Sequence, residues 1–328
     1  MTILMMRRQL LGVVSVQWVQ ATLNTMPEWR RGTSPVLWRR HDFPQGRRRY
    51  MLDDPCINLM LSSPISMVIR WGCTARIPSA VTSRTEGWSL PVPEGVRVIN
   101  KSEAIRTVND KLGFVTRMHR SDPTLQPTVL LDETQVTTDM FPLIVRPRSH
   151  AQGRHVYKVD DVPALRACLR LSCMANGWYA RSYVAKVAEY RVYVVQGRVA
   201  CVAQKHPQDP SAIAWNHARG ATFTTVRWDD WSGEVCDVAV RAFNLSGLDF
   251  SGVDVMVDGD GRAYVIECNS APSLPPNEDG SPSYRHVCLA KTMDWMDADL
   301  DVPPAITDNG WRGYVHPSIW VPREQRVQ

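Results

Sequence analysis

GVDVMVDGDGRAYVIECN, residues 252–269, decides how the chain folds. Two alternating runs rich in β-branched and aromatic residues flank Asp258-Gly259-Asp260-Gly261, a strong hairpin signal. A two-residue loop at Gly259-Asp260 sets Asp258 against Gly261 and Asp254 against Val265. Alternation then places Val253, Val255, Val257, Tyr264, Ile266 and Cys268 on an apolar face, and Asp254, Glu267 and Asn269 on the other. Asp254 lies diagonal to Glu267, so the Cβ atoms of the three polar residues fall within about 5 to 8 Å of one another. Two carboxylates and an amide oxygen are hard ligands suited to Mg²⁺. A solvated hairpin face has the same composition, and the hairpin alone leaves both readings open.

Upstream, Asn100 followed by Glu103 predicts a capping box opening a helix over KSEAIRTVNDKLGF. A second helix is predicted over 161–175, with Asp160 or Asp161 as cap, Pro163 in its first turn and Asn176-Gly177 at its stop. PLIVRP (142–147), RHVYKV (154–159), WYARSYV (178–184), EYRVYVV (189–195) and RVACVAQK (198–205) read as strands. Val235, Val238, Ala239, Ala242 and Phe243 recur at helical spacing before Gly247. Residues 1–95 alternate short apolar runs such as ISMVIRWG (65–72) with Pro- and Arg-rich loops, as in a small α/β unit. Arg70-Trp71-Gly72, at the end of one such run, points to a substrate pocket, although Trp71 also suits a core. The tail after 291, with Trp295, Trp311 and Trp320, has no clear period.

The 328 residues are 44% hydrophobic and 22% charged, ordinary globular composition with room for two or three cores. Thirty-eight basic residues against 33 acidic ones give +5, too mild to imply nucleic acid without a focused patch. Arg39, Arg40, Arg47, Arg48 and Arg49 form the one such cluster, and a charge run of this kind is ordinarily a solvated loop. Eight cysteines lack metal-ligand spacing and read as reduced thiols of a cytoplasmic protein. The opening MTILMMRRQLLGVVSVQWVQA has Arg7 and Arg8 before an apolar stretch, but Gln17 and Gln20 interrupt it. A buried first strand or helix is therefore expected over a signal peptide. No run reaches the ~18 apolar residues of a membrane span.

GVDV followed by IECNSAPSL resembles the metal-binding end of the ATP-grasp carboxylate-amine ligases, and upstream segments agree in order. SGLDFSGVDVM and AWNHARGATF (214–223) are most similar to the branch containing the ligase that adds glutamate to a ribosomal protein. The resemblance covers residues 100–275. It implies an α/β (α+β) ATP-grasp fold, two α+β subdomains gripping ATP. The implied units are a leading domain at 1–99, a lid subdomain at 100–185, a metal-binding subdomain at 186–290 and a C-terminal extension at 291–328.

By position, the resemblance implies that Asp254, Glu267 and Asn269 hold two Mg²⁺ ions, with Mn²⁺ as an alternative. Lys111 in NDKLGF, Arg146 in PLIVRP and Lys205 in VAQK would clamp the ATP phosphates. Arg146 stands where the family usually has Lys, a planar fork in place of a point charge. RSHAQGRHV (148–156), with Gly153 and Arg154, resembles the glycine-bearing lid over the phosphates, and as an isolated feature equally an ordinary hairpin loop. Ser182, Tyr183 and Val184 in ARSYV fall where the hinge receives adenine, and Glu189 in AEYR where an acid takes the ribose. Arg191, Asn216 and Arg219 would hold the reacting carboxylate; singly, such strand cations are more often solvated.

The activity implied is amide formation through an acyl-phosphate, with release of ADP and phosphate. Carboxylate and amine substrates would be the partners. The alternatives are a catalytically weak nucleotide-binding or assembly protein, suggested by Arg146 and the unusual hinge, and a ligase modifying a protein or nucleic acid.

Overall fold

The computed structural model describes residues 2–7, 34–41, 49–52, 65–77, 79–82, 89–150, 153–216, 219–227 and 230–273. The expected irregular tail after 291 lies outside these residues, as do the side chains of the arginine cluster at 39–49.

The leading unit is a sheet in the order β3-β2-β1-β4-β7. Its strands are β1 (Thr2–Arg7), β2 (Ser34–His41), β3 (Arg49–Leu52), β4 (Ile65–Trp71) and β7 (Arg97–Ile99). All neighbours run parallel except β3, which closes one edge antiparallel. The opening residues thus form a strand, with Met6 fully buried. A short hairpin of β5 (Ala80–Thr82) and β6 (Ser89–Pro91) follows β4.

The second sheet runs β10-β9-β11-β8, built from β8 (Val129–Leu130), β9 (Leu143–Pro147), β10 (Tyr157–Val159) and β11 (Trp178–Ser182). The third runs β14-β13-β12-β15-β16, from β12 (Lys186–Val195), β13 (Arg198–His206), β14 (Thr222–Thr225), β15 (Phe250–Asp258) and β16 (Ala263–Asn269). Both are antiparallel. Among the described residues four α-helices accompany them: α1 (Ser102–Asn109), α2 (Lys111–Ser121), α3 (Val162–Leu169) and α4 (Gly233–Ser246).

The expected capping box does not form. Lys101 is the N-cap of α1 and makes no side-chain cap bond. Asn100 instead sits in the left-handed region at φ 59°, which Asn tolerates better than most residues. Its side chain accepts from the amides of Asp249 (2.8 Å) and Phe250 (3.1 Å) and donates to Phe250 O (3.1 Å). The residue that looked like a helix cap therefore pins the helix to the start of β15. Asp110 breaks the long predicted helix into α1 and α2, its carboxylate accepting from the Gly113 amide. The 161–175 helix ends early, at Leu169.

Two large cores result. Met67, Ile69 and Trp71 of β4, the inner faces of α1, α2 and α4, and the apolar face of β12, β13 and β15 share one cluster. Trp71 lies 5.1 Å from Phe250, ring to ring. Leu143, Val145, Leu165, Cys168, Met174 and Ala180 form a separate core under the second sheet. Helices α1 and α2, expected with the lid, thus pack with the third sheet, because their apolar stripe of Ala104, Ile105, Val108, Phe114 and Val115 matches its face. Among the described residues six cysteines are free thiols, five of them buried, and no helix is long and apolar enough to cross a membrane.

Candidate functional site

The hairpin differs from its expected register in two places, and together they build the site. The turn is a three-residue loop: Asp258 N–H bonds Arg262 O, and Gly261 adopts φ 84°. The Asp258 carboxylate steadies it by accepting from the amides of Asp260 and Arg262. Val257 consequently faces Ala263, and Val255 faces Val265. The register then shifts between Asp254 and Val255, so that Asp254 stands directly opposite Glu267, and Gly252 opposite Asn269. Ile266 is the extra, bulged residue. As a result Ala263, Val265 and Cys268 are buried in the core, whereas Ile266, expected there, lines the cavity with Glu267. Tyr264, also expected in the core, is half-buried opposite Met256, and its hydroxyl donates to Asp258.

The cavity has a volume of about 750 Å³ between the second and third sheets. Lys111, Arg146, Gly153, Ser182, Tyr183, Val184, Glu189, Arg191, Lys205, Asn216, Asp254, Glu267 and Asn269 all line it. Arg154 and Arg219 do not; both are exposed, and Arg219 Nη2 reaches the Gly153 carbonyl at 3.4 Å.

Ladder neighbours carry the electrostatics. Arg191 pairs with Asp254 across β12 and β15, and Glu189 with Lys205 across β12 and β13. Arg191 grips Asp254 through two bonds of 2.7 and 2.9 Å. Lys205 Nζ lies 3.0 Å from Asp254 and bonds Glu189, whose other oxygen meets Lys186 Nζ at 2.5 Å. Lys111 Nζ is 3.3 Å from Glu267, and the Asn269 amide is 3.5 Å from Asp254. Burial alone would raise both carboxyls. At Glu267 the surrounding cations together outweigh it, Lys111 foremost with Arg146 and Lys205 behind, and at Asp254 Arg191 with Lys205 does so; both are held below the ordinary carboxylate range.

Six lysine and arginine side chains line the cavity against three carboxylates, an excess that fits a polyanion. The ionised oxygens of Asp254 and Glu267 beside the Asn269 amide also fit a hard divalent cation. Among the described residues no cluster of three or more His, Cys, Asp or Glu occurs, so any such cation takes part of its shell from the amide, from water or from the polyanion.

Several wall residues were not among those the sequence reading assigned to the site. Lys186 lies over the Trp215 ring at 4.4 Å and bonds Ile213 O at 3.0 Å; a lysine at a strand start reads as solvated. His150 bonds Tyr179 OH at 2.8 Å, and burial pushes its pKa down to about 3, leaving it neutral. Arg181 is buried in the wall. Of Arg70-Trp71-Gly72, Trp71 and Gly72 reach the cavity, while Arg70 turns away to the carbonyls of Cys73 and Ala75. The Gly72 amide bonds Ser270 O at 3.1 Å, joining β4 to the segment after the hairpin.

Comparison with known proteins agrees with this geometry. An ATP-grasp domain family, numbered 3 within its clade, matches residues 72–283. A probable alpha-L-glutamate ligase of Aeromonas salmonicida is 28% identical over 185 residues, 54% of this chain and 60% of that protein. Another, of Alcanivorax borkumensis, is 27% identical over 216 residues, 62% of this chain and 70% of that protein. The chain thus spans about 60% of the length of the first of these relatives. Among solved structures, the ATP-grasp ligase PsnB complexed with minimal precursor, Mg and ADP has a TM-score of 0.56 at 16% identity, covering 90% of this chain and 96% of that one. A D-alanine–D-alanine ligase from Bacillus anthracis has a TM-score of 0.52 at 14% identity, covering 91% and 98%. At those identities the likeness is one of fold.

Proposed function

The chain belongs to the ATP-grasp family, and from that membership we propose that it is an ATP-dependent carboxylate-amine ligase working through an acyl-phosphate. The observation that carries this is the hairpin's Asp254, Glu267 and Asn269 facing a cavity with twice as many cations as carboxylates.

Asp254, Glu267 and Asn269 would hold Mg²⁺, two ions by the family's pattern, and the metal would supply positive charge to neutralise the phosphate oxygens. Lys111, Arg146 and Lys205 take the phosphates. Arg146 has no carboxylate partner among the described residues and is ready for an anion. Ser182, Tyr183 and Val184 receive the adenine: the amides of Ser182 and Tyr183 are taken by Thr128 O and Pro142 O, whereas Val184 N–H has no protein acceptor among the described residues. Glu189 faces the ribose. The γ-phosphoryl group passes to a substrate carboxylate oxygen, the amine attacks the carbonyl carbon, and phosphate leaves. Arg191 would stabilise the oxyanion as the amine adds. Asn216 and Arg219 lie near Gly153, and the lid loop would shield the acyl-phosphate from water.

In this conformation the cations satisfy the carboxylates. A polyphosphate entering the cavity gives Lys111 and Lys205 a new anionic partner and releases Glu267 and Asp254 toward the metal. The relatives' names make glutamate the first amine to test.

The test is phosphate release from ATP and Mg²⁺ with a panel of amines and carboxylates, for wild type and Glu267→Gln. Substrate-dependent release lost in the variant supports the ligase. Retention of ATP without turnover of any pair makes the protein a nucleotide-binding module instead.

A further inference from the structure

The hairpin's register poses a problem of parity. Continued without interruption, the pairing of Val255 with Val265 sets Asp254 opposite Ile266 and sends Glu267 into the apolar core. One extra residue in β16 brings Glu267 opposite Asp254. The site therefore depends on a bulge, and a bulge leaves backbone groups unpaired. β16 is also the outer strand of its sheet, with no further strand to take its outward carbonyls.

Those carbonyls find a partner in the other sheet. Arg181 Nη1 donates to Val265 O at 3.1 Å and to Ile266 O at 3.2 Å. Its Nη2 donates to Gln126 Oε1 at 2.6 Å, and Gln126 Nε2 donates to Val115 O of α2 at 3.0 Å. Arg181 is 6% exposed and Gln126 4%, so water cannot substitute for either. One guanidinium thus ties β11, the bulge and α2 together, one residue before Glu267 and one before Ser182.

We propose that Arg181 is a positioning residue: by holding the two bulge carbonyls it keeps Glu267 opposite Asp254, and so sets how tightly the site binds a divalent cation. The assignment rests on the ligase reading of the same cavity. A lysine in its place keeps the charge but not the planar fork that reaches two carbonyls and an amide at once.

The experiment uses the full chain with ADP at a fixed concentration and follows the melting temperature as Mg²⁺ is titrated, for wild type, Arg181→Lys and Gln126→Leu. A parallel titration with Mn²⁺, read by the electron-spin-resonance signal of the free ion, counts metal directly. The Mg²⁺ midpoint in Arg181→Lys should rise roughly tenfold or more, as for other residues that orient metal ligands, with a smaller rise in Gln126→Leu. A wild-type midpoint in Arg181→Lys overturns the assignment, even where the melting temperature itself has fallen. Should Arg181→Lys not fold, Gln126→Leu decides: a raised midpoint supports the role and a wild-type midpoint removes it. Absence of any metal-dependent shift in wild type overturns the ligase reading, and this assignment with it, without reference to the variants.

Discussion

Every carboxylate that the third sheet turns to the cavity already has a cationic partner: Glu189 has two lysines, Asp254 an arginine and a lysine, and Glu267 has Lys111. The second sheet holds its groups differently. Arg146 faces the cavity without a carboxylate, and Gly153 sits on the loop between β9 and β10, fastened by a bidentate Arg148–Asp110 pair and a long bond from Arg219. The first arrangement stands on adjacent ladder positions, with Lys111 added from α2, over the larger core; the second divides between Arg146 on β9 and Gly153 on a loop, over the smaller core. Groups that must be positioned are on strands, and those that must move over a ligand are on a loop.

Breaking the braced side should have the largest effect. Asp254→Asn leaves the mostly enclosed Arg191 without a carboxylate and the buried Lys205 with Glu189 alone, and should lower stability in urea by about 3–5 kcal/mol. A loss below about 1 kcal/mol, the level of an exposed pair, would erase the contrast between the two sheets.

Glu267→Gln should abolish the Mg²⁺-dependent stabilisation by ATP, about 2.7 kcal/mol at a hundredfold excess over Kd, while leaving the lid intact. The same pair reports on pH. The folded carboxyls of Glu267 and Asp254 lie below their ordinary values of 4.5 and 3.8. Their stabilisation is therefore complete above those values and drains away as pH falls below them. The stability gap between wild type and Glu267→Gln should be flat at neutral pH and narrow below pH 4.5; a gap that widens in acid contradicts the ion-pair account.

On the lid side, Gly153 has φ 65°, and a Cβ there would meet Asn216 Nδ2 at 2.3 Å. Gly153→Ala should cost about 1–2 kcal/mol in the closed loop, read by calorimetry as roughly five- to thirtyfold weaker ATP binding. Melting of the free protein should change less, since the loop can open. Smallest of all, Arg148→Ala removes a half-exposed pair and should shift stability by less than about 1 kcal/mol, with faster nucleotide release in stopped flow as its main sign. A larger stability loss there would mean the lid is braced like the hairpin.

Part of what this protein brings to the cavity was legible in the chain alone. Strand alternation put Asp254, Glu267 and Asn269 on one face, because period is a local property of the chain, whereas Lys111, Arg146, Glu189, Arg191 and Lys205 were singled out by the resemblance to the ATP-grasp ligases. Register was not local. The three-residue turn moved Tyr264 and Ile266 out of the core, and only the bulge returned Glu267 to the side of Asp254. Asn100 showed a cap's residue type, but its partners lie 149 and 150 residues away. Lys186, His150 and Arg181 went without an assigned role for the same reason, since each acquires it from a residue on another element. Side-chain chemistry is written one residue at a time, whereas the partner that buries, neutralises or aligns it is supplied when the sheets pack.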